Sequence, residues 1–162
     1  MECRDAKTGD GAFLAVTQSV GGKSDVSQLS DSFLLDNLVK RDGRLSFYGP
    51  PTDVKIKPSS SQIVNHGGGG ANGGNGSAYK VMDLSYSIVS QATQTEIPRK
   101  ARLVVTIPSG SDQAVMLVAS ASAGRWNKGS DKLVASTIES FRAVAAPQTS
   151  LKIRGKPKKT DL

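Results

Sequence analysis

The sharpest pattern in the chain begins at Tyr79, where Met82, Leu84, Tyr86 and Ile88 alternate with Asp83, Ser85 and Ser87. A period of two predicts a strand with one packed face and one wet face. Ala101, Leu103, Val105 and Ile107 repeat that alternation against Arg102, Val104 and Thr106, and Pro108-Ser109-Gly110-Ser111-Asp112 then turns the chain. So short a turn pairs its flanking strands antiparallel. The strand after it, Ala114-Val115-Met116-Leu117-Val118-Ala119, is apolar on both faces and is expected in the interior of the sheet.

Helical spacing appears twice. Leu34 with Leu38 and Leu35 with Val39 stand four apart, behind Ser30 and Asp31, whose side chains can accept the free N–H groups of a first turn. Gly43 is the expected stop. Near the other end, Val134, Ile138 and Phe141 form one stripe after Ser130-Asp131, which predicts a capped closing helix packed on the sheet.

The remaining segments are less regular. Residues 12–17, Ala-Phe-Leu-Ala-Val-Thr, read as a buried strand bounded by glycines. Gly49-Pro50-Pro51 and Lys57-Pro58-Ser59-Ser60-Ser61 leave room only for short edge strands around residues 45–48 and 54–56. Residues 67–76 are almost all glycine and asparagine, so residues 66–77 are expected to form a Gly-rich surface loop. The sum is an α+β fold, an antiparallel β-sheet covered by helices. Its expected organisation is a disordered N-terminus over residues 1–10, one domain over 11–146, and a basic disordered tail over 147–162.

Composition sharpens this without changing it. Apolar residues make up 37% of the 162 and aromatics only 5%, so the core falls to Val, Leu, Ile and Ala. The formal charge is +7, but five cations against Asp161 beyond Leu151 place +4 of it in the tail. Charge of that kind attracts any acidic surface within the Debye length, about 8 Å at physiological salt, and does not choose among nucleic acid, anionic lipid and acidic protein. No apolar run approaches the ~20 residues needed to span a bilayer, and Met1-Glu2-Cys3-Arg4 begins no targeting pattern.

The chemistry available to an enzyme is sparse. Cys3 and His66 are the only cysteine and the only histidine, and both are expected in irregular chain, which argues against a Cys-His or Ser-His-Asp site. A lone imidazole without a second ligand at chelating spacing reads as a solvated loop residue. The glycine run lacks the Gly-Lys-Ser/Thr ending of a phosphate cradle, and no EF-hand loop is present. Non-enzymatic binding is therefore the expected class, with metal ligands unknown.

From Tyr79 onward the chain resembles the PsbP family, extrinsic proteins on the oxygen-evolving side of photosystem II and their lumenal relatives. Four pieces carry the resemblance in order: Val81-Met82-Asp83-Leu84-Ser85-Tyr86; Glu96-Ile97-Pro98-Arg99-Lys100-Ala101; an apolar strand; and Arg125-Trp126-Asn127-Lys128 leading to Ile138-Glu139-Ser140-Phe141. Upstream, Leu29-Ser30-Asp31-Ser32-Phe33 followed by Leu38-Val39 looks like the family's first helix, so the likeness covers residues 11–144. It implies an α-β-α sandwich. The family's opening strands, with a Tyr-Pro segment and an early Trp, have no counterpart before Ala12, and its N-terminal arm is absent. The chain is therefore expected to lack the first strands, as if starting from an internal Met1.

The resemblance implies a chloroplast thylakoid-lumen location, peripheral on the membrane, association with photosystem II, and support of the oxygen-evolving complex and its calcium retention. Calcium is the one cofactor it suggests, and no group is expected to bind tightly. An assembly or auxiliary factor for another thylakoid complex is the near alternative. A nucleic-acid binder acting through the basic tail is the alternative of a different class, disfavoured because no aromatic or base-reading companion accompanies the tail. A similar sandwich also occurs in a Ran-binding nuclear transport accessory, so fold alone does not fix function. The candidate docking residues are Arg99, Lys100, Arg102, Arg125, Trp126 and Lys128, set against the plain reading of solvated charges. Trp126 reads first as a packing anchor between helix and sheet, with an expected cost of about 3–5 kcal/mol on Trp126→Ala.

Overall fold

A computed structural model describes residues 1–39, 51–65, 78–90 and 93–144. The expected helix stop at Gly43, the edge strand at 45–48, His66, the Gly-rich loop at 66–77 and the tail at 147–162 lie outside the described residues.

The alternating segments form the sheet. Strands β5 (Ala78–Val89), β6 (Glu96–Thr106) and β7 (Val115–Ser122) are consecutive antiparallel neighbours. Beyond β7 lies β2 (Gly11–Val16), paired in an unbroken antiparallel register from Gly11 opposite Ser120 to Val16 opposite Val115. That places β7 between β2 and β6, the interior position its two apolar faces predict. On the opposite side, β3 (Thr52–Ile56) and β4 (Gln62–Asn65) both pair β5, separated by a short 3-10 turn at Pro58–Ser60. With β1 (Glu2–Arg4) the result is a seven-stranded antiparallel sheet of order β1-β2-β7-β6-β5-β3, with β4 beside β5.

Strand β1 corrects the expectation of a disordered residue 1–10 segment. Glu2, Cys3 and Arg4 pair with Phe13, Ala12 and Gly11, and the Asp5 carboxylate accepts the N–H groups of Lys7 and Thr8 to close the turn between the strands. Gly11 is what lets the two strands meet, because a Cβ there would sit 2.5 Å from the Cys3 carbonyl oxygen.

Strand alternation divides the side chains between two faces. On one, Met82, Leu103, Met116 and Val118 of the sheet meet Leu34 and Leu38 of α1 (Asp31–Val39), and each of these side chains is fully buried. Ser30 caps that helix, accepting the Phe33 N–H, and the buried Lys80 of β5 fixes its start by donating to the Leu29 carbonyl at 2.7 Å and to Asp31 at 2.6 Å. On the other face, Val134 and Ile138 of α3 (Asp131–Glu139) pack with Tyr79, Val104 and Ala119. The fold is mixed α+β, with a helix on each face of an open antiparallel sheet.

The closing stripe departs from expectation at both ends. Helix α3 stops at Glu139, so Phe141 follows it and stacks edge-on against Tyr79 with ring centroids 6.1 Å apart. At the start, the Ser130 hydroxyl makes no cap bond and donates instead to Asp10. Entry into α3 is managed by a helical turn, α2 (Ala123–Arg125), and a wide turn at Trp126–Ser130. Gly129 takes φ 108° there, a conformation that disfavours any side chain.

Candidate functional site

The face bearing α3 is only partly covered. Helix α3 lies over β6 and β7, while the neighbouring strip of β5, β6 and β3 carries short and charged side chains. Trp126, half-buried against the α3-side cluster, stands at the edge of this strip. With it Lys55, Lys57, Asp83, Ser85 and Lys100 line an open groove. Lys55 and Lys57 are exposed, and Lys100 points its ammonium toward the Asn127 side-chain oxygen at 3.5 Å, across the mouth of the turn that holds Trp126.

The carboxylate in this groove is already neutralised. Asp83 lies directly opposite Arg102 in the β5–β6 register and accepts Nε at 2.6 Å and a terminal nitrogen at 3.2 Å. That hydrogen bond to Asp83 holds the Arg102 guanidinium above its usual range, with the charges of Asp83, Glu139 and Asp131 adding to it against some desolvation. What the groove presents outward is therefore lysine charge beside an indole, a pairing suited to acidic and aromatic groups.

Of the six candidate docking residues, the structure brings Lys100 and Trp126 together in the groove, with Arg102 in the Asp83 pair at its side. Arg125 and Lys128 flank Trp126 and are exposed, but the Arg125 charge is engaged by Asp10 at 2.7 Å. Arg99 does not join them. It is 6% exposed and donates through Nη2 to the Gly9 carbonyl and to Ser120. The reason is the period of two: adjacent strand residues point to opposite faces, so Arg99 shares a face with Ala101 and Leu103, and Lys100 with Arg102.

Sequence reasoning missed Lys55 and Lys57, which enter from the sheet edge, and Asp10. Asp10 accepts from Ser122 N–H, Arg125 Nε and Ser130 Oγ. It straps the turn that carries Trp126 to the start of β2, and no local pattern marks a partner 115 residues away.

Among the described residues no group of three or more His, Cys, Asp or Glu side chains is arranged to hold a metal ion, and no helix is long and apolar enough to cross a membrane. No protein-family model and no curated protein matches this chain.

Proposed function

We propose that this chain is a PsbP-like, non-enzymatic extrinsic protein of the thylakoid lumen. In this reading it docks on photosystem II through the groove at Trp126 and supports the oxygen-evolving complex. The observation that carries the docking part is the groove itself: Lys55, Lys57 and Lys100 gather around a half-exposed tryptophan, while Asp83 is balanced by Arg102. Lys55 also reaches Asp53 at 4.0 Å, so the net cationic charge rests on Lys57 and Lys100, and such a surface with one aromatic anchor fits an acidic protein partner better than it fits a small substrate. The mixed α+β fold with a helix on either sheet face agrees with the α-β-α sandwich that the family resemblance implies. Location in the lumen and a part in calcium retention come from that resemblance alone.

Binding to photosystem II-enriched membranes stripped of their extrinsic proteins tests the reading. Retention that falls steadily as salt rises from low to physiological strength and beyond is expected, because exposed charge pairs are screened. Absence of binding, or binding indifferent to salt, overturns it. Co-purification with assembly intermediates in place of active, oxygen-evolving particles would move the role to an assembly factor.

A further inference from the structure

We propose that Arg99 is the floor of a carboxylate-binding pocket, on the opposite sheet face from the Trp126 groove. Arg99 is 6% exposed, yet among the described residues it makes no ion pair; its neighbours are the Gly9 and Ser120 carbonyls and the Ser120 hydroxyl, all bonded to Nη2. A guanidinium has five N–H groups in a planar fork, and those on Nε and Nη1 have no protein acceptor among these contacts. No fully enclosed side-chain nitrogen or oxygen among the described residues lacks a partner, so these N–H groups open onto the adjoining pocket.

That pocket is built for one small anion. Phe13, Tyr86 and Ile88 wall it, and Glu2 and Arg4 of the edge strand stand at its rim. Glu2 and Arg4 approach each other at 3.6 Å, and two arginines against one glutamate give the lining a formal charge of +1. The cavity holds about 30 Å³, two to three times the ~10–15 Å³ a single water needs. A carboxylate head group fits; a ring does not. Burying a guanidinium without a counter-charge is costly, and a planar two-oxygen anion meets its free edge in the bidentate geometry that arginine favours.

The test is an NMR titration of the intact chain, following the Arg99 Nε–Hε signal as sodium formate replaces sodium chloride at constant ionic strength. A saturable shift at millimolar formate, absent with chloride and weaker with inorganic phosphate, is the expected result. Parallel arms use N-acetyl-glutamate amide and N-acetyl-glutamine amide. Saturation by the glutamate compound as well as formate assigns the pocket to a peptide-borne carboxylate, and saturation by formate alone assigns it to a free small acid. No saturable shift with either overturns the proposal. So does an Arg99 signal that moves on Glu2→Gln as far as formate moves it, since Glu2 would then already be the occupant.

Discussion

The two faces of the sheet are built from the same three strands and end in different states. Beneath α1 one face is closed: Leu34, Leu38, Met82, Leu103 and Met116 are each 0% exposed, and the cation that reaches it near the helix, Lys80, is consumed by Leu29 and Asp31. The α3 face is half-finished, with Val134 and Ile138 buried but Leu133 70% exposed and a lysine-lined groove beside the helix. Hydrophobic burial that saturates one side leaves the other free to carry surface chemistry, so stability and binding are expected to respond to different residues.

Substitutions can break that comparison in order of size. Leu103→Ala on the closed face removes a fully enclosed side chain between α1 and the sheet and should cost about 3–5 kcal/mol in denaturant unfolding. Trp126→Ala on the open face should cost about 2 kcal/mol, below the range for a fully enclosed aromatic, while abolishing membrane retention. A larger loss of stability than Leu103→Ala would put the main core on the wrong face. Asp10→Ala unties the Trp126 turn from β2; about 1 kcal/mol is expected, with faster amide hydrogen exchange through residues 123–130 and unchanged protection in α1.

The smallest effect lies away from both faces. The Ser19 hydroxyl donates to Asp112 at 2.6 Å and the Gly22 N–H at 3.1 Å, and these bonds, Ser19 first, hold the Asp112 carboxyl below its ordinary value of 3.8. A folded-state pKa below the unfolded one adds stability above the unfolded value, and that stability is lost as pH falls through the folded pKa. Carboxyl NMR titration should place Asp112 under 3.8, and Ser19→Ala should raise it toward that value with no change at Trp126.

Much of the architecture was legible because it is periodic. The alternation in β5 and β6, the two-sided apolar run of β7, the 12–17 strand and both helices follow from spacing that local packing enforces. Strand β1 was not legible, since Glu-Cys-Arg carries no alternation and its pairing depends on Gly11 yielding space. Strand β4 hid behind the Pro-Ser turn for a similar reason, being four residues at a sheet edge. At the site, Lys100 and Trp126 were legible, and the misplacement of Arg99 was avoidable, because the same period of two that predicts the strand separates neighbouring residues. Lys55, Lys57 and Asp10 were not, because only tertiary pairing brings them to Trp126.

On this reading the lysine-lined groove docks the protein partner, while the part of the opposite face that α1 covers holds the fold. The double charge reversal Lys57→Glu/Lys100→Glu tests it most directly, read by thermal unfolding and by retention on stripped photosystem II-enriched membranes at low salt. Exposed or half-exposed lysines contribute within about 0.5 kcal/mol to stability, so an unchanged unfolding curve with retention lost is expected. Retention equal to that of the unaltered chain would contradict it.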